Sequence, residues 1–176
     1  MNGIAEPLGG REITFFAPSQ TRIDELGTWF ETHYPALLRF AYFVSGERAA
    51  AEDLVQDAFV KLCRAGARTD AAGIGMYARR TVANLAKSGH RRRKLESRAP
   101  APGSDAFDGP DLGARDEVWR AVLGLSPKQR AVVALKFYED MSERDIASAL
   151  GMSAGSVKKH SDRAMTKLRE TLGREL

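Results

Sequence analysis

Apolar residues recur every three or four positions along most of the chain, and strand-like alternation is scarce, so the pattern predicts an all-α protein. From Arg22 to Ser45, the run Ile23, Leu26, Phe30, then Leu37, Leu38, Ala41 and Val44, predicts two helical segments meeting near Pro35 and ending at Ser45-Gly46. Glu47 to Ala65 predicts one strong helix. Its stripe is Leu54, Val55, Ala58, Phe59 and Leu62, with Asp53, Gln56, Asp57 and Lys61 opposite and Gly66 as the stop. A looser segment rich in Ala and Gly, Arg68 to Gly75, leads into a helix from about Met76 to Leu95 that packs through Tyr77, Val82 and Leu85.

The second half is helical again after a break. Asp116 to Leu125 should bury Val118, Trp119, Val122 and Leu123. Ser126-Pro127 supplies a cap and a first-turn proline, Gln129 completes a capping box, and Val132, Val133, Leu135 and Phe137 are expected to face the core. From Met141 to Leu172 the chain reads as a short helix, a tight turn and a longer basic helix. Ser142 caps the first, with Asp145 placed to close a second box, and Ile146, Ala147 and Leu150 form its apolar face. Gly151 stands where a helix end needs a left-handed residue, and Ser153 caps the next helix. That helix turns Val157, Ala164, Leu168 and Leu172 inward and presents Ser156, Lys158, Lys159, His160 and Arg163 outward. Two helices joined by a tight turn, the second basic, have the geometry that seats a helix in a major groove.

Composition divides the chain. Residues 1–21 carry Gly9-Gly10 and two prolines without a sustained period, and read as a mobile tail. Residues 97–113 hold Pro100, Pro102, Gly103, Gly109 and Pro110 among Asp105, Asp108 and Asp111, an acidic interdomain linker. The expected organisation is therefore two small helical domains, 22–96 and 114–176, flanking that linker. No apolar run reaches the length of a membrane span and no signal-peptide pattern opens the chain, which predicts a cytoplasmic product with no membrane insertion. The lone Cys63 excludes an internal disulfide and, beside Phe59 and Leu62, reads as a buried thiol.

Charge narrows the function. The net charge is only +4, but it is clustered: Lys87, Arg91, Arg92, Arg93, Lys94 and Arg98 can neutralise several phosphates. The acidic face Asp53, Gln56, Asp57 would repel DNA and suits a protein partner with Arg or Lys on its contact surface. Enzymatic signatures are absent. No phosphate loop, dinucleotide fingerprint or zinc-spaced His pair occurs, and neither a metal nor a cofactor is expected. Glu52, Asp53 and Asp57 read as a solvated face rather than an acid–base pair, since nothing nearby would desolvate one of them.

Ala51-Glu52-Asp53-Leu54-Val55-Gln56-Asp57-Ala58-Phe59, then Tyr77-Ala78-Arg79-Arg80 and Asn84-Leu85-Ala86, a basic run, a Pro/Asp linker and a terminal helix-turn-helix together resemble bacterial RNA polymerase sigma factors. The two-domain layout is similar to the small extracytoplasmic-function group, which keeps only regions two and four. The resemblance covers roughly residues 25–174. It implies a promoter-specificity subunit that is not an enzyme. Its partners would be core RNA polymerase (β′ clamp helices and β flap), promoter DNA and an anti-sigma factor. It further implies that Asp53, Gln56 and Asp57 dock on the β′ clamp helices. Asn84, Lys87, Ser88, His90, Arg91, Arg92 and Arg93 would capture the melted minus-ten strand. Lys136, Ser156, Lys158, Lys159, His160 and Arg163 would meet the minus-thirty-five element.

Two stretches depart from the family's habit. Ile74-Gly75-Met76 stands where members often carry Trp, and Lys87-Ser88-Gly89 stands where many have Asp. Gly89 should weaken its helix by about 1 kcal/mol. Val157-Lys158-Lys159-His160 also resembles the recognition helix of LuxR-type regulators, which leaves open a DNA-binding regulator that does not join polymerase. The AEDLVQDAF helix discriminates between the two, because the regulator reading gives it no task.

Overall fold

The computed structural model describes residues 20–65, 71–96 and 116–173. The expected tail before Gln20, the Gly66 stop and the 97–113 linker lie outside the described residues. Among the described residues there is no strand. Three long helices come first: α1 (Gln20–Ser45), α2 (Arg48–Ala65) and α3 (Ala71–Glu96). Three short pieces and a fourth long helix follow: α4 (Asp116–Leu123), α5 (Pro127–Val133) running into a π turn (Ala134–Tyr138), α6 (Glu143–Leu150) and the longer α7 (Ala154–Leu172).

The first unit packs α1, α2 and α3 against one another around Leu26, Val44, Val55, Leu62 and Val82, each essentially inaccessible. Helix α1 is continuous through Pro35 where two segments were expected. Proline removes one hydrogen bond, to the carbonyl of Glu31, but Pro35 and Glu31 are both exposed, so water can take that carbonyl. The Leu37, Leu38, Ala41 and Val44 stripe stays in register with Leu26 and holds the helix together. Helix α3 begins at Ala71, a turn and a half ahead of the expected Met76, because Ile74 and Gly75 are buried and draw the looser segment onto the core. Helix α3 also continues through Gly89.

In the second unit the caps follow the sequence. Ser126 accepts from the Gln129 N–H while Gln129 Oε1 accepts from the Ser126 N–H at 2.9 Å, a complete capping box with Pro127 in the first turn. Ser142 caps α6, but its hydroxyl donates to Asp145 Oδ2 at 2.6 Å, so the expected second box closes through the side chain instead. Ser153 caps α7 by accepting from the Ser156 N–H. Gly151 ends α6 at φ 61°, and the Met152 N–H reaches back to the Ala147 carbonyl at 3.0 Å.

Two packing expectations fail here. Phe137 was expected in the core and is 58% exposed, with Tyr138 beside it at 53%. The cause is the π turn, in which the Glu139 N–H bonds the Ala134 carbonyl five residues back. One extra residue per turn lets Ala131 through Leu135 all be buried in succession, then rotates Phe137 outward. Val118 is 38% exposed rather than buried, because Trp119 and Val122 take the inward side of α4. Cys63 is half-buried, and burial raises its thiol pKa, which keeps the reactive thiolate scarce.

The two units touch. Helices α5 and the π turn lie against α1, and α5 and α6 lie against α3. Trp119 stacks on Tyr42 at a centroid distance of 5.1 Å and meets Phe43 edge-on. Arg79 Nε donates to Glu139 Oε2 at 2.9 Å. A Cβ on Gly46 would sit 2.5 Å from Leu123 Cδ2 and 3.0 Å from Arg130 Nη1, so the end of α1 approaches the second unit as closely as backbone allows.

Replacing Gly151 with Ala forces a side chain into the left-handed region, at a cost of about 1–2 kcal/mol. A Cβ there would also collide with the Arg80 guanidinium. The expected outcome is a thermal midpoint lower by about 2–6 °C, measured by circular dichroism.

Candidate nucleic-acid and partner interface

Helix α2 carries the acidic surface. Burial of Val55, Ala58 and Leu62 fixes its rotation and leaves Asp53, Gln56 and Asp57, spaced i, i+3 and i+4, exposed together. Neither carboxylate is ion-paired with a described residue. Val60, 43% exposed, adds an apolar spot to the same face, where a protein partner can bury it.

Helix α3 carries the second surface. Thr81, Val82 and Ala86 turn inward, and Arg80, Asn84, Lys87 and Ser88 line the outer face at helical spacing. The Ser88 hydroxyl donates to the Asn84 carbonyl at 3.1 Å, so its oxygen remains an acceptor. The backbone of His90, Arg91, Arg92 and Arg93 continues α3, but their side chains lie outside the described residues. Arg80, Ala83 and Asn84 form one wall of a cleft of about 390 Å³, with Lys128, Ala131, Leu150, Gly151 and Met152 from the second unit opposite.

The third surface is α7. Val157, Ser161, Ala164, Leu168 and Leu172 are buried, which turns Lys158, Lys159 and Arg163 to solvent. His160 is half-buried, and burial lowers its pKa first, with Lys128, Arg163 and Lys159 adding repulsion. It is therefore held neutral in the middle of a cationic patch. Ser156 is drawn into the cap, its hydroxyl 2.9 Å from that of Ser153. Lys136 is tied to Glu143 at 3.0 Å and lies 5.8 Å from the Phe137 ring centre, so a phosphate would have to compete with an existing partner. The expected residues thus form three groups on α2, α3 and α7, with Lys136 apart on the π turn, and Ser156 and Lys136 are already occupied.

Four residues of the seam were not singled out for function by the sequence: Arg79, Arg80, Arg130 and Glu139. Arg130 is only 4% exposed, yet it sits in an ordinary-looking Pro-Lys-Gln-Arg turn. No local pattern distinguishes a buried arginine from a solvated one. The Arg79-Arg80 pair was visible only as part of a motif.

A helix-turn-helix with a basic second helix, joined to a helical bundle bearing one acidic and one cationic face, defines a DNA-reading protein that also docks on another protein. Among the described residues no His, Cys, Asp and Glu cluster suits a metal, and no helix is long and apolar enough to cross a membrane. Comparison with known families makes the class specific. Residues 29–96 match Sigma-70 region 2, and residues 115–168 match Sigma-70, region 4. The RNA polymerase sigma-E factor of Streptomyces avermitilis is 36% identical over 152 residues, covering 84% of this chain and 85% of its own. The ECF RNA polymerase sigma factor SigM of Mycobacterium tuberculosis is 32% identical, covering 82% of this chain and 75% of its own. Among solved structures, the sigma factor RpoE in complex with the anti-sigma factor NepR from Bartonella quintana is similar, with a TM-score of 0.65 and 26% identity. That match covers 87% of this chain and 99% of the other.

The chain belongs to the RNA polymerase sigma factor family, in its extracytoplasmic-function group. It is a transcription initiation factor, not an enzyme, and its partners are core RNA polymerase and promoter DNA. The regulator that works apart from polymerase is set aside, since a region 2 match across 29–96 accounts for the half of the chain that reading left without a task.

His160 makes stability depend on pH. Its folded pKa lies below the ordinary 6.5, so the unfolded chain binds the proton more readily. The contribution is complete above about pH 6.5 and is lost as pH falls through the folded value. Between about pH 7.5 and about pH 5.5 the thermal midpoint should drop further in the wild type than in His160→Gln, measured by paired melts.

Proposed function

We propose that the three surfaces divide promoter-directed initiation among them. The α2 face, Asp53, Gln56 and Asp57, docks on the β′ clamp helices of the polymerase, and the second unit meets the β flap. The outer face of α3, Asn84, Lys87 and Ser88, together with His90, Arg91, Arg92 and Arg93 that follow in sequence, holds the melted minus-ten strand. The outer face of α7, Lys158, Lys159 and Arg163 with His160 and Ser156, enters the major groove of the minus-thirty-five element, and Lys136 binds backbone beside it. On this reading residues 22–96 and 114–176 are the two functional domains, 97–113 is their tether, and the protein works in the cytoplasm alongside polymerase.

The observation that carries the reading is the acidic α2 triad, exposed and without a described ion-pair partner in a chain of net positive charge. A DNA-binding protein gains nothing from such a face unless another protein covers it. Regulation follows by likeness. The solved relative was captured with an anti-sigma factor, and a partner of that kind fits a chain whose two units present separate charged faces.

The double change Asp53→Arg, Asp57→Arg should weaken binding to core polymerase by at least about tenfold while leaving retention on duplex DNA unchanged. Co-purification and a gel-shift assay run side by side measure the two. Equal loss of both would overturn the division of labour. Arg163→Ala or Lys159→Ala should cost about 1–3 kcal/mol on the preferred promoter if the side chain reads a base edge, and relax preference at that position. A loss uniform over all sequences, with a shallower salt slope, would make it a phosphate contact.

A further inference from the structure

Arg48, Arg79 and Lys136 each meet a carboxylate, at Glu52, Glu139 and Glu143. Arg80 and Lys128 do not: neither side chain makes an ion pair or hydrogen bond with another described residue. They stand on opposite walls of the cleft of about 390 Å³, Arg80 on α3 and Lys128 in the first turn of α5. Among the described residues no acidic side chain lines that cleft. A concave space bordered by one sign of charge concentrates positive potential and draws anions in. The potential runs on beyond the cleft, since Lys128 is among the cations that lower the pKa of His160 on α7.

One of these cations is held in place. The Arg80 guanidinium lies against the Gly151 turn, where the absence of a side chain leaves room for it. Its flat fork suits two oxygens of one phosphate, whereas Lys128 supplies a point charge. Asn84, one turn along α3, adds an amide whose donors and acceptor have no described partner. The rest of the lining is apolar, from Ala83, Ala131, Leu150 and Met152 around the bare Gly151 turn. Leu150 and the Met152 thioether give a surface on which a flat ring can rest. The volume falls at the lower end of the about 300–1,000 Å³ typical of small-ligand sites, and such sites gather at junctions between units. A nucleic-acid duplex is too wide to enter it.

We propose that this cleft binds a phosphorylated ligand of nucleotide size: Arg80 and Lys128 take the phosphate, Asn84 meets a polar edge of the sugar or base, and Leu150 and Met152 carry the ring. One wall comes from the first unit and the other from the second. The ligand therefore binds only while both walls are together, and stabilises that arrangement by mass action. Asn84 also belongs to the face proposed above for the minus-ten strand, so ligand and strand compete for it. That consequence rests on the division of surfaces; the ligand site does not.

Calorimetric titration and thermal melts of the full-length chain test it. Adenosine diphosphate is the probe, and adenosine, pyrophosphate and a short single-stranded DNA are the other arms. The diphosphate should bind at one site and, at ten times its Kd, raise the thermal midpoint by about 3–6 °C. Adenosine and pyrophosphate, each lacking half of the contacts, should bind at least about tenfold more weakly. Arg80→Gln and Lys128→Gln, both at exposed positions, should each weaken the diphosphate by at least about tenfold. Lys61→Gln removes the same charge from α2, outside the cleft, and should leave the affinity unchanged. Circular dichroism confirms that the variants are folded. Absence of binding by the diphosphate at millimolar concentration overturns the proposal, and so does an equal loss in all three variants, which marks bulk charge. Pyrophosphate matching the diphosphate would leave an anion trap with no place for a ring. Tighter binding of the DNA, lost in the same two variants, would assign the cleft to nucleic acid; either result overturns the nucleotide site. A diphosphate that binds as expected and leaves strand retention unchanged upholds the site and sinks the assignment of Asn84 to the minus-ten face.

Discussion

An amphipathic helix has one stripe to bury, and whatever the stripe leaves over is the only surface available for partners. In α7 the burial of Val157, Ala164, Leu168 and Leu172, at about 1.5–3 kcal/mol each for the large side chains, fixes the rotation. The cations between them contribute a few tenths of a kcal/mol at most to folding and go where the stripe puts them. The same imbalance operates in α2, where Val55, Ala58 and Leu62 determine that Asp53, Gln56 and Asp57 emerge together. On the proposed division of surfaces, function is therefore placed by the core, and a change that rotated either helix would misdirect a charged face without touching one of its charges.

The junction between the units obeys different physics. Within each unit the contacts are almost wholly apolar, aliphatic and aromatic, and their loss would expose a large apolar area. Across the junction the apolar core continues, and a forked ion pair, an arginine on a turn, aromatic contacts of Trp119 with Tyr42 and Phe43 and a close backbone approach are added to it. The ionic contacts among them have hydrated alternatives that cost little more. A sigma factor has to be stable in its halves and changeable in their arrangement, and the two kinds of contact are distributed accordingly.

This difference also explains what could be read from the sequence. The caps at Ser126 and Ser153, the left-handed Gly151, the α2 stripe and the outward cations of α7 depend on neighbours within four residues, and all were legible. The continuity of α1 through Pro35 was not, because it depends on water at an exposed turn and on packing along the whole helix. Phe137 was assigned inward on a 3.6-residue period, which fails where the backbone widens into a π turn. Arg79, Arg130 and Glu139 were invisible as a set, since each meets the other unit at a residue distant in sequence, Arg79 and Glu139 being 60 positions apart. For the site, the helical period and the charge pattern foresaw that Asp53, Gln56, Asp57, Lys158, Lys159 and Arg163 emerge exposed. They did not foresee that Lys136 is already engaged by Glu143 and that Ser156 serves the cap.

The widened turn between α5 and α6 has a longer-range effect. A π turn amounts to an α-helix with one residue added, and that residue advances everything after it by about 100°. Glu139, the first residue past the turn, owes its direction toward Arg79 to that phase offset. A relative lacking the additional residue would keep its helix-turn-helix intact and aim the equivalent side chain elsewhere. Single-residue insertions and deletions at this spot thus offer evolution a way to retune how tightly the two halves associate, independently of which DNA either half reads.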